Sequence, residues 1–176
     1  FNQQKLELIV NLKAMQRKVL IILPCNGMAK AGDYRLGKGW RAVLRAVKPW
    51  RDRGLVELAA VECIDMLGLV HEDEAHLVKG KEEYPAWRHF KRNPEKLAML
   101  KEAVKRRLSE LAPRYSHIIA HVNVRAYYLA LKEASEELGI PVRFTEIQRF
   151  SPMAFFKGVG QLASMLEELC PLSEAR

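Results

Sequence analysis

The sequence predicts an α/β fold, a three-layer α/β/α sandwich around a mainly parallel four-stranded sheet. Three observations carry this. Short aliphatic runs alternate with longer stretches of helical periodicity, the pattern that builds βα units. The first run, "VLIIL" (Val19 to Leu23), has no polar break, as a parallel strand buried on both faces requires. Pro24, Gly54, Pro113 and Gly139 stand at the joins where one period hands over to the next.

Taken in order, Asn2 to Gln16 carries Leu6, Ile9, Val10 and Leu12 in a loosely helical pattern, so residues 1–17 form an N-terminal helix and 18–176 a single α/β/α domain. Val19 to Leu23 is the first strand. Trp40, Val43, Leu44, Val47 and Trp50 then fall at helical spacing, and Gly54 closes that helix. "LVELAAVEC" (Leu55 to Cys63) is the second strand, with Val56, Leu58 and Val61 facing the core. Ile64 to Arg92 is expected to be irregular, and long loops of this kind in small domains usually serve function.

Asn93 and Pro94 supply a cap and a first-turn proline for a helix that buries Leu97, Leu100, Val104, Leu108 and Leu111. "HIIAHV" (His117 to Val122) is the third strand. Arg125 to Leu138 is a helix stopped by Gly139, with Ala126, Leu129, Ala130 and Ala134 inward. Pro141 to Ile147 is the fourth strand and Ala154 to Leu169 the closing helix. The chain shows no internal repeat and no low-complexity segment.

Composition narrows the function. No apolar run approaches the roughly 20 residues that cross a bilayer, and no secretory signal is visible, so no membrane partner is expected. The first residue is Phe1 rather than Met, which reads as the boundary of a fragment. Cys25, Cys63 and Cys170 are widely spread and form no CxxC, which points to a reducing, cytoplasmic setting and away from a disulfide scaffold or a structural zinc. His117 and His121 lie four apart but on a strand, too far from each other to share an ion, so no metal or other cofactor is expected. The 29 Lys and Arg exceed the 21 Asp and Glu by eight, favouring polyanionic partners such as tRNA or other RNA; a lysine-rich thermophile surface gives the same excess.

In parallel sheets, ligands collect beyond the carboxyl ends of the strands. Four segments should therefore share one rim: 24–38, 63–70, 123–125 and 148–153. On that rim Cys25 is either a thiol activated by nearby amides or Lys30, or a small apolar plug at a strand end. A phosphatase-type arginine six residues after it is missing, since Ala31 stands there. Gly32, Gly37 and Lys38 have Walker spacing, but Gly39 replaces the magnesium-binding Ser or Thr, so an anion site at a helix start fits better than NTP hydrolysis. Asp33, Glu62, Asp65 and Glu146 are the rim carboxylates available for acid–base work, beside the bland alternative of solvated surface groups. "YPAWRHFKR" interleaves Trp87 and Phe90 with Arg88, Lys91 and Arg92, a composition that stacks on unpaired bases or plugs a core. Lys101, Lys105, Arg106 and Arg107 add a basic helix face.

"VLIILPCNGMAK", then "LGLV", "EEYP", a long basic helix and "YSHIIAHVNVRAYY" together resemble the domain that follows the transglycosylase-like part of archaeosine synthase, a family similar to archaeal tRNA-guanine transglycosylase. In the family the opening loop reads Pro-Cys-Ser, three residues, then Lys-Pro-Tyr. Here Pro24, Cys25 and Lys30 match, Asn26 replaces the serine, and Ala31 and Gly32 replace the Pro-Tyr pair. The resemblance implies a uracil-DNA-glycosylase-like fold in an archaeal, thermophile, cytoplasmic protein. It implies tRNA modification, in which a lysine amine is joined to the nitrile of a deazaguanine already in the tRNA. On that footing Cys25, Lys30 and Asp33 are the expected catalytic residues. Asn26, Arg35, Lys38, Arg125, Trp87, Arg88, Lys101 and Lys105 are the expected RNA or anion contacts. Neither a transglycosylase-like barrel nor a PUA-like domain lies within these residues, so the resemblance implies a stand-alone or split relative with a transglycosylase-like or PUA-containing partner chain and a radical-SAM partner. The alternative is a non-catalytic nucleic-acid or nucleotide-binding module on the same fold.

Overall fold

A computed structural model describes residues 2–15, 18–25, 33–78, 90–147 and 149–173. After helix α1 (Gln3–Met15), strand β1 (Val19–Pro24) leads through a 3-10 turn at Tyr34–Leu36 into α2 (Lys38–Arg51). Strand β2 (Val56–Glu62), a second 3-10 turn (Ile64–Met66) and strand β3 (Gly68–His71) follow, then a 3-10 segment at Glu72–Leu77. Helix α3 (Pro94–Leu111), strand β4 (His117–Ala120), helix α4 (Arg125–Leu138), strand β5 (Arg143–Phe144) and helix α5 (Pro152–Leu169) complete the order.

The sheet runs β3-β2-β1-β4-β5. The last four strands of that order are parallel, whereas β3 pairs antiparallel with β2, Ala60 opposite Val70. The sheet therefore has five strands rather than the four expected. The extra one is "GLVH", inside the stretch expected to be irregular. Four residues are too few to display a period, and β3 takes its stability from β2 and from α3 rather than from its own pattern. Gly68 makes that contact possible: its φ is +81°, and a Cβ there would lie 2.5 Å from the Ala103 backbone carbon of α3. The expected fourth strand shrinks to Arg143–Phe144, at the opposite edge.

β1 sits at the centre, and alternation along it divides the core. Val19, Ile21 and Leu23 face α2 and α5, packing on Trp40, Val43, Val47, Trp50, Leu162 and Leu166. Leu20 and Ile22 face α3 and α4, packing on Leu100, Val104, Leu108, Leu111, Ala130 and Leu131. The helices thus form one layer on each side of the sheet. On α4 the inner face turns slightly from the expected one: Tyr127 and Leu131 are buried with Ala130 and Ala134, while Ala126 and Leu129 are only half-buried.

From β1 the chain moves outward to β2 and β3, then returns to the other side of β1 for β4. The βα connections diverge between β1 and β4, which makes that carboxyl-end crevice the natural ligand position. Among the described residues no helix is long and apolar enough to cross a membrane.

Candidate functional site

The carboxyl ends of β1 and β2 carry a buried cluster of thiols, phenols and one carboxylate. The Cys25 amide donates to the Val61 carbonyl at 3.1 Å, which places Cys25 beside Glu62. Glu62 ends β2 on the α2 face and is fully buried. Cys63 leaves the extended conformation (φ −88°, ψ −20°) and turns the chain, so its thiol joins the α4 side of the core. Cys25, half-buried, packs against both sides. The two sulfur atoms and a Glu62 carboxylate oxygen lie within 4.8 Å of one another.

Two tyrosines hold this cluster. Tyr127, on the first turn of α4, sets its hydroxyl 3.0 Å from Cys25 Sγ and donates toward Cys63 Sγ at 3.4 Å. Tyr34 donates to Glu62 Oε2 at 2.8 Å, and the Ile64 amide donates to Oε1 at 3.0 Å. The Tyr34 ring stacks on Trp40 (centroids 4.7 Å apart), whose indole N–H donates to the Pro24 carbonyl at 3.0 Å. The loop end, the start of α2 and the strand end are thereby locked together.

The electrostatics follow from this crowding. Its hydrogen bond to Cys63, burial and the field of Glu62 push the Cys25 thiol well up. Cys63 moves down, chiefly because it is hydrogen-bonded to Cys25 and, against burial, to Tyr127. Burial, followed by the neighbouring acidic groups, raises both Tyr127 and Tyr34.

Of the expected catalytic residues, Cys25 stands in this cluster. Lys30 lies outside the described residues, as do Asn26, Trp87 and Arg88. Asp33 caps the 3-10 turn and is bound by Arg35: Oδ1 accepts from the Arg35 amide at 3.0 Å and from Nε at 2.8 Å, and Oδ2 accepts from Nη2 at 3.0 Å. That guanidinium lowers the Asp33 carboxyl, so the two residues satisfy each other. Lys38 and Arg125 are exposed in the first turns of α2 and α4. Lys101 and Lys105 pair with Glu133 (2.6 Å) and Glu137 (2.8 Å) on α4, tying the two helices together. Phe90 is buried among the residues of the α3/α4 side of the core.

At the ends of β4 and β5 lies a hollow of about 450 Å³ bordered by Val122, Tyr128, Phe144, Thr145, Ile147 and Phe150. A second, of about 340 Å³, continues along Arg149, Ser151, Met153 and Lys157. Cys25 lines neither. The turn after Val122 reaches Cys25 through Tyr127, while the turn after Ile147 borders the hollows.

Sequence reasoning placed Cys25, Glu62 and Cys63 on one rim but assigned no role to Tyr34 or Tyr127. The repeated tyrosines of "VRAYYLA", on an otherwise apolar helix face, were the one available signal, because a buried phenol needs a polar partner.

No family model and no curated protein matches the sequence. Among solved structures the chain is similar to AF0587, a protein of unknown function, with a TM-score of 0.53 at 14% identity. The match covers 86% of this chain and 48% of that one, so this chain spans about half the length of the structure it resembles. At that identity the likeness shows the α/β fold alone.

Proposed function

We propose that the protein belongs to tRNA modification, as a relative of archaeosine synthase that acts on a nitrile-bearing deazaguanine base, alone or as the subunit that carries the reacting site. The observation that carries this reading is the meeting of Cys25, Cys63, Glu62 and Tyr127 at the carboxyl rim, where the connections diverge between β1 and β4. The uracil-DNA-glycosylase-like form of the sandwich belongs to the same proposal, supported by the parallel strands and the helix layer on each face.

The chemistry is an addition. The amine nitrogen bonds to the nitrile carbon, one carbon–nitrogen π bond opens, and an amine proton ends on the former nitrile nitrogen; nothing leaves. The site must draw electron density from that nitrogen and deliver a proton to it. Tyr127 supplies an exchangeable proton at the cluster. A flat base fits against the rings of Tyr128, Phe144 and Phe150 in the hollow at the ends of β4 and β5. Lys38, Arg125, Arg149 and Lys157, all exposed, face the surrounding phosphates.

The test combines nitrile-bearing tRNA, lysine and the protein, with its partner chain if one co-purifies, and follows the base by mass spectrometry. The expected product carries the added mass of lysine. Unchanged base under these conditions removes the enzymatic reading. A second reading, RNA binding without chemistry, draws on the same exposed cations. It predicts salt-dependent binding that Cys25→Ala leaves intact.

A further inference from the structure

We infer that Cys25, Cys63 and Glu62 form a binding site for a divalent metal ion of the zinc class. Among the described residues these three side chains bring their donor atoms within 4.8 Å of one another. A tetrahedral zinc ion holds sulfur at about 2.3 Å and carboxylate oxygen at about 2.1 Å, which spaces its ligand atoms roughly 3.5–3.8 Å apart. Side-chain adjustments of about an ångström close the set.

The scaffold for such a site is rigid. Cys25 follows the central strand, Glu62 ends its neighbour, and Cys63 begins the turn after it, so the backbone of the sheet fixes the three positions. Outer-shell hydrogen bonds are also in place. Tyr34 and the Ile64 amide each bond one oxygen of Glu62, and Tyr127 points its hydroxyl at both sulfurs. Such contacts orient the ligands and spread the charge of a thiolate site.

Donor chemistry selects the ion. Two sulfurs and one oxygen are too soft for magnesium or calcium and suit zinc, with cobalt as its spectroscopic substitute. Binding releases the two thiol protons to solvent. A dication against two thiolates and a carboxylate then leaves one net negative charge. Three protein ligands leave a tetrahedral ion one exchangeable position, the pattern of a catalytic zinc. On the function proposed above, on which this last step rests, an ion held by Cys25, Cys63 and Glu62 would supply Lewis-acid polarisation of the nitrile.

Metal uptake is read without RNA or lysine, so its outcome is separate from that of the adduct assay. Reduced full-length protein, stripped with chelator, is titrated with cobalt(II) and then with zinc. The expected result is one ion per chain, with thiolate-to-cobalt charge-transfer absorption and the intense d–d bands of a tetrahedral ion, both lost when zinc replaces cobalt. Zinc should also protect two of the three thiols from alkylation. Cys63→Ser and Glu62→Gln should each weaken binding at least tenfold. The wild-type spectrum decides alone, so a variant that fails to fold removes nothing. A reduced wild-type protein with no thiolate–cobalt band overturns the inference. So does a band that persists undiminished in a Cys25→Ser/Cys63→Ser double variant.

Discussion

Glu57 and Glu62 stand near opposite ends of one strand, point to opposite faces, and live in different chemistry. Glu57 keeps 28% of its side chain exposed and is surrounded by partners: Lys18 donates at 2.9 Å, Tyr115 at 2.9 Å, and His71 Nε2 lies at 2.8 Å. Burial raises its carboxyl, but those hydrogen bonds outweigh it and hold the group at about 2. Glu62 is fully buried, and the groups around it include a phenol, a backbone amide and two thiols. At the amino end the carboxylate is fixed in an ion-paired network that stabilises the sheet. At the carboxyl end it is set among groups that can exchange protons or bind an ion. On the proposed function, two glutamates on one strand separate a structural role from a chemical one.

That contrast can be broken by exchanging roles. Glu62→Gln, nearly isosteric, should cut lysine-adduct formation by about a hundredfold or more while leaving the fold intact by circular dichroism. Adduct formation at the wild-type rate would end the distinction. Glu57→Gln should do the reverse, lowering unfolding free energy in urea by about 1–2 kcal/mol once solvent screening of this partly exposed group is counted, with adduct formation unchanged.

The pH dependence sharpens the same point. The Glu57 carboxyl falls from its ordinary value of 4.5 to about 2. Its contribution to stability is therefore complete above pH 4.5 and is lost as pH falls through about 2. Wild-type urea midpoints should decline across that acid window, and Glu57→Gln should flatten the decline.

His121 gives a smaller, third comparison at the carboxyl rim. Fully buried, it contacts Thr145 Oγ1 at 2.7 Å and the Phe155 carbonyl at 2.9 Å, and burial lowers its pKa from the ordinary 6.5. The unfolded chain takes up the proton first, so stability is whole above pH 6.5 and falls as pH drops below it. His121→Asn should remove that slope from the urea midpoints measured against pH. The smallest effect is expected from Lys101→Ala with Lys105→Ala. Exposed ion pairs contribute little, so the thermal midpoint should barely move. A large drop would mean that the α3–α4 seam depends on charge rather than on Leu100, Val104 and Ala130.

Much of the frame was legible from local pattern. The unbroken "VLIIL" marked the central strand, Asn93 and Pro94 marked the start of α3, and Gly139 marked the end of α4 with φ +65°. The rim prediction also placed Glu62 and Cys63 on the same rim as Cys25. What escaped was short or long-range. β3 has too few residues to show a period, and Tyr127 meets Cys25 across 102 residues of sequence.

By itself the sequence determined the longer elements, their order and the strand ends on which reactive side chains fall, because hydrophobic period and capping act over a few residues. Only the tertiary structure decided that two distant cysteines share one glutamate and one phenol, and that Asp33 closes on Arg35 instead. Which side chains meet depends on strand order and on the turn at Cys63, and neither leaves a mark in local composition.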